Sequence, residues 1–238
     1  MRKQANTFYC FSPPAMLITF LIEFALAIYT FTRYRLNPIG RLATAALLLL
    51  GIFQLCEFNI CGLSSSAALT WSRIGYGAIT MLPPIAIHLV YLIAHKKSRK
   101  LVWLAYITGA VFVGIFGLNA SAFATHICAG NYAIFQLAPN VGGIYFTYYY
   151  SWLILGICLC LYFGLEANRL TRQALSLQVL GYLSFLLPTG IVNAVNPHTI
   201  VGIPSVMCGF AVIYAIILAV AIVPSVVEPA KFKPKEKS

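Results

Sequence analysis

Glu23, Glu57, Arg73 and His88 are the residues of this sequence best equipped for chemistry, because each interrupts a long apolar stretch. An ionisable group in such surroundings must be neutral, paired or turned to a wet cavity, which makes it a candidate for function. Glu23 lies near the middle of its stretch and suits a ligand contact or a proton-linked switch; the alternative is a protonated carboxyl that fixes helix packing. Glu57 and Arg73 flank a short connection, so a helical hairpin would join them as a charge-assisted pair at the mouth of a bundle. Gln54, Glu57 and Cys61 share one helical face, and Arg73, Gly77, Thr80, Pro84 and His88 share another. With Tyr76, these faces read either as the lining of an outward-opening cavity or as a structural staple. Asn193, Asn196 and His198 either extend the same mouth or end a helix ahead of Pro197. His88 lacks a second ligand at i+4, and no His/Cys spacing suits a metal. The sequence has no HExxH, no GxSxG and no Asp, and Glu23, Glu57 and His88 are placed at different depths. Neither catalysis, nor a cofactor, nor a metal is expected.

The elements that hold these residues are membrane spans. Of the 238 residues, 61% are hydrophobic and only 9% charged, too few to coat a soluble globule. Seven continuously apolar runs are long enough to cross a bilayer as helices: 14–32, 42–60, 70–94, 101–122, 147–166, 174–193 and 201–224. The fold class expected is an all-α integral membrane bundle of seven helices, with residues 1–227 as one domain and 228–238 as a basic tail. Thirteen Lys and Arg residues fall in the first, third and fifth connections and the tail. The second, fourth and sixth connections have none apart from Arg73 at the edge of span three, and only Arg2 and Lys3, before span one, argue the other way. That alternation places the N-terminus outside and the C-terminus in the cytoplasm. It also explains the net charge of +11 without a nucleic-acid partner, since no basic stripe lines an exposed helix. Pro83-Pro84 predicts a kink near Ile79–Thr80 in span three, and Pro188 a similar bend in span six. The uncharged fourth connection, about 123–146, is expected to fold over the bundle mouth. Cys61 and Cys128 both fall on the outer side, where a disulfide is permitted; Cys10 is a competing partner and free thiols the alternative. The run Tyr145, Phe146, Tyr148, Tyr149, Tyr150 and Trp152 reads as an interfacial aromatic belt.

Four stretches, in order, resemble a known family. They are Gln54-Leu-Cys-Glu57; Trp71-Ser-Arg73-Ile-Gly-Tyr76-Gly with Leu82-Pro83-Pro84 and His88; Tyr148-Tyr-Tyr-Ser-Trp152 through Asn168-Arg169-Leu and Arg172-Gln173; and Ala211 through Tyr214-Ala-Ile216 to Ile222-Val-Pro224. The pattern resembles the seven-helix membrane sensor module at the N-terminus of many bacterial histidine kinases. The resemblance implies a receptor in the cell (inner) membrane. Such a receptor binds an outside small molecule or peptide, or a membrane-dissolved ligand, within its helices and signals to a cytoplasmic protein such as a kinase. In that family a cytoplasmic output domain follows the seventh helix. Here Glu228-Pro-Ala-Lys-Phe-Lys-Pro-Lys-Glu-Lys-Ser follows instead, so the expectation is a free-standing module acting through another protein, with a resemblance of fold only as the alternative. The alternative reading is a small-solute or proton-coupled transporter using Glu23. Homodimerisation is left open, and the lipid bilayer is the one partner that composition demands.

Overall fold

In the computed structural model, residues 13–34, 37–62, 67–129 and 132–228 are described. Seven of its helices are long and apolar enough to cross a membrane, so the chain is a multi-pass membrane protein. Span one is α1 (Pro13–Arg33) and span two is α2 (Pro38–Gly62). Span three is divided into α3 (Ala68–Thr80) and α4 (Leu82–Ile93). Span four is α5 (Lys100–Leu118), span five α6 (Pro139–Glu166) and span six α7 (Arg169–Val195). Span seven comprises α8 (Ile203–Ile216), a π-helical segment (Ile217–Ile222) and the short α9 (Val223–Val226).

Local chemistry sets the helix starts. Asn37 accepts a hydrogen bond from the Gly40 amide (2.8 Å) and Asn168 one from the Thr171 amide (2.9 Å), each satisfying a first-turn donor. Prolines 13, 38 and 139 open α1, α2 and α6, where the missing N–H costs nothing. α5 stops at Leu118, short of the expected 122, because Asn119 turns extended and caps a 3-10 turn by accepting from the Ser121 amide. α6 begins eight residues earlier than expected, at Pro139, and Gly142-Gly143 are helical.

The fourth connection is read from sequence as a loop, but it contains a β-hairpin. β1 (Phe123–Ala129) pairs antiparallel with β2 (Tyr132–Leu137), with an irregularity between Phe123 and Thr125. The hairpin does fold back on the bundle, against the ends of α2, α3 and α8. Its base is anchored: Phe123 and Leu137 are buried, and the Phe123 ring lies 5.6 Å from Tyr76. Below it the basic connections occupy the opposite end, where Lys96 pairs with Glu166 (3.8 Å) and lies over the Phe163 ring.

The core is built around spans two, three and seven, with over half of each apolar window buried; spans one and four are peripheral, at 22% and 28%. α1 packs on α2 and, more lightly, on α8. The expected aromatic belt is a correction. Tyr145, Tyr148, Tyr149 and Trp152 are buried inside the bundle, not at a lipid interface. Tyr145 stands 5.4 Å from Tyr76, 5.0 Å from Phe116 and 5.3 Å from Phe112, edge-on to each. α6 starts early enough to carry these rings past the bundle mouth, and offset ring contacts of this kind hold aromatic cores together.

Candidate functional site

The proline pair breaks span three where the sequence predicts. Pro83 and Pro84 cannot donate to the carbonyls of Ile79 and Thr80, so α3 ends at Thr80 and α4 restarts after Met81. The Met81 amide turns back to Ala78 (3.2 Å) and the Ile85 amide resumes the ladder at Met81 (3.2 Å). The Tyr148 hydroxyl donates to the freed Thr80 carbonyl at 2.8 Å. Thr80 is tied further, donating to the Tyr76 carbonyl and lying 3.1 Å from the Tyr145 hydroxyl. Gly109 of α5 makes room: a Cβ there would come within 3.0 Å of the Tyr148 hydroxyl and 3.1 Å of Pro84. Pro188 lies inside α7, which is a continuous helix from Arg169 to Val195.

Thr80 and Tyr76 therefore belong to the structural joint. Asn193 and Asn196 do the work of turn residues. Asn193 accepts from the Thr199 hydroxyl (2.7 Å), and Asn196 accepts from the His198 amide (3.3 Å). His88 lies 3.3 Å from the Tyr106 hydroxyl, toward the basic end, well away from the other candidates.

The ion pair between Glu57 and Arg73 is not formed. Glu57 Oε1 and Arg73 Nε each lack a hydrogen-bond partner, and the two residues make no salt bridge. Helical phase explains it. The face of α2 that meets α3 carries Phe53 and Cys56, which lie against Gly75. Gln54 and Glu57 are each one residue on, about 100° around the helix, and so turn toward α1 and α8. There they line a small cavity of about 10 Å³ with Ala15, Met16, Thr19, Ser205 and Gly209. Glu23, placed at a different depth from the sequence alone, is a neighbour after all: its carboxyl is fully buried and close enough to interact electrostatically with Glu57. The antiparallel α1–α2 crossing brings them together, with Gly51 keeping the helices close beside Phe20 and Glu23. Gln54, Glu57 and Ser205 are each 1% exposed, Glu23 Oε1 and Oε2 and Gln54 Nε2 have no hydrogen-bond partner, and the Ser205 hydroxyl lies within hydrogen-bonding reach of the Glu57 carboxyl. Among the described residues, no three His, Cys, Asp or Glu side chains gather as a metal site.

A second cavity, of about 40 Å³, lies at the centre of the bundle. Its wall is apolar: Leu50 of α2, Leu82 and Ala86 of α4, Leu153 of α6, Phe185 of α7 and Ala211 of α8. Only Tyr149, Cys208 and Tyr214 bring polar atoms, and Tyr214 is held by a 2.8 Å hydrogen bond from Gln178. The volume has room for about three waters, and a cavity this short of polar partners stays dry. Cys208 stands between the two cavities, interacting electrostatically with both Glu57 and Glu23.

Sequence reasoning finds Glu23, Gln54 and Glu57 but misses Thr19, Ser205 and the cavity residues Tyr149, Cys208 and Tyr214. Thr19 stands four residues before Glu23, on the same face, which is a readable signal; Ser205 has none, because its role depends on how span seven packs.

Cys61 is disulfide-bonded, whereas Cys56, Cys158, Cys160 and Cys208 are free. The expected partner, Cys128, has its side chain outside those described. No family model matches the chain, and comparison with curated proteins and with solved structures finds no significant match to either.

Proposed function

We propose that this chain is a membrane sensor or receptor module whose ligand enters the central apolar cavity and alters the packing of spans three and seven. One observation supports the reading above all: the cavity is bounded by the two spans whose helices are interrupted. Leu82 begins α4 just past the proline break, and Tyr214 lies one turn before the π-helical segment. Interrupted helices mark places where two packings differ little in energy, and a guest that prefers one of them shifts the balance. The wall chemistry selects an apolar molecule, dissolved in the membrane or arriving from outside. The basic connections at the opposite end suit a cytoplasmic signalling protein, a kinase for instance, in a bacterial inner membrane. A second reading, small-solute or proton-coupled transport through Glu23, draws on the burial of that carboxyl without a partner.

The test is native mass spectrometry on protein extracted from its own membranes in mild detergent, comparing wild type with Ala211→Leu. Wild type is expected to retain an apolar small molecule. The leucine, filling the cavity, should weaken retention at least about tenfold, the equivalent of about 1.4 kcal/mol. Empty wild-type protein, or equal retention by both, ends the sensor reading at this cavity.

A further inference from the structure

Two of the five acidic residues in this strongly basic chain are buried side by side, and among the described residues no cation is paired to them. Both oxygens of Glu23, together with Glu57 Oε1, lack any hydrogen-bond partner, so the two carboxyls do not share a hydrogen bond with each other. Two carboxyls buried in this way are either both protonated or share a compensating cation. We propose that Glu57, Gln54, Ser205 and Thr19 form a binding site for one dehydrated monovalent cation of sodium's size, with Glu23 as the adjoining acid.

The donors fit that chemistry. Glu57 supplies a carboxylate oxygen and Ser205 a hydroxyl within hydrogen-bonding reach of that carboxyl, both lining the same small cavity. The Thr19 hydroxyl lines the same cavity, and its proton is committed to the backbone carbonyls of Ala15 (3.0 Å) and Met16 (2.9 Å). Only its lone pairs remain to face the cavity. Gln54 ends in an unpartnered amide there, a group that presents its carbonyl oxygen after a half-turn of the side chain. These are hard oxygen ligands without a thiolate or imidazole, which suits an alkali or alkaline-earth ion and disfavours transition metals. The space decides between the two. At about 10 Å³ it holds one body the size of a water. Calcium needs six to eight oxygens and magnesium keeps several waters, and there is room for neither. Charge points the same way: with one carboxyl ionised and the other protonated, a single positive charge makes the cluster neutral. The other titratable groups packed around it are Cys56, Tyr76 and Cys208, none of which is cationic.

The site is independent of the guest in the central cavity, and its test does not need that guest. The unfolding temperature of the purified full chain is followed in sodium chloride and in choline chloride at equal ionic strength. Sodium is expected to raise it by several degrees, as any ion bound only by the folded state must. The rise should vanish in Glu57→Gln, shrink in Ser205→Ala and persist in Glu166→Gln, whose carboxylate sits at the basic end. Binding of radioactive sodium at about one ion per chain should follow the same order. Equal stability in the two salts would overturn the proposal and leave the pair as protonated packing groups. A sodium effect that survives in both Glu57→Gln and Ser205→Ala would overturn it too, placing the ion elsewhere.

Discussion

The hydroxyl of Tyr148 is the clearest case of a single atom completing an element. Its hydrogen bond to Thr80 satisfies the carbonyl that Pro84 releases, and both groups are buried. Replacing Tyr148 by Phe leaves that carbonyl without its side-chain donor, at a cost of about 1–3 kcal/mol. Thermal unfolding of Tyr148→Phe should show the loss, whereas Tyr150→Phe, two residues on and half-buried, should stay within about 0.5 kcal/mol of wild type. The break itself is legible in Pro83-Pro84, because proline acts on its own chain within four residues. The repair is not legible: Tyr148 is 68 residues away, and nothing in its local sequence tells it from Tyr149 or Tyr150. The same limit governs Glu57. Its helical face could be read, but which neighbour that face meets could not, so the sequence pairs it with Arg73 and the bundle turns it to Thr19 and Ser205.

Helix-to-helix fit turns on a few glycines. Gly181 of α7 meets the Tyr214 ring of α8 so closely that a Cβ would stand 2.4 Å from one ring carbon and 2.8 Å from another. Gly181→Ala must push aside a ring that accepts from Gln178 and walls the central cavity. A loss of about 1–3 kcal/mol is expected from overpacking. Gly190→Ala, on the same helix with open space around it, should be neutral or gain up to about 1 kcal/mol in helix propensity. Comparing the unfolding temperatures of the two variants checks the contact directly. The spans as elements are legible, because apolar length and the alternation of basic connections are properties of composition. Their ends are less so. Gly142-Gly143 reads as loop, yet Pro139 starts a helix through it, a start signal already present in the chain. The hairpin has a signal too, since Gly130-Asn131 separates two short apolar stretches, but a pair of six- or seven-residue strands is faint beside seven spans.

For the molecule as a whole, the charge pattern makes a prediction that the fold does not itself contain. With thirteen basic residues in the first, third and fifth connections and the tail, a green fluorescent protein fused after Ser238 should fluoresce in the cytoplasm, and alkaline phosphatase fused there should be inactive. The opposite result would invert the bundle and put the hairpin end inside. Seven spans and their mutual order could be expected from sequence; that spans one and four would be peripheral could not, because all seven are similarly apolar and only packing separates inner from outer. The peripheral seat of α1 bears on how the protein is made. Four residues link α1 to α2, and these two helices meet far more extensively than α1 meets any other, so they can leave the insertion machinery as one unit with Glu23 and Glu57 already facing each other. Ser205 arrives only with the last span to be synthesised. Until then the acidic pair lies open along its third side, and a nascent chain released early would carry that exposed polarity as a mark of incomplete assembly.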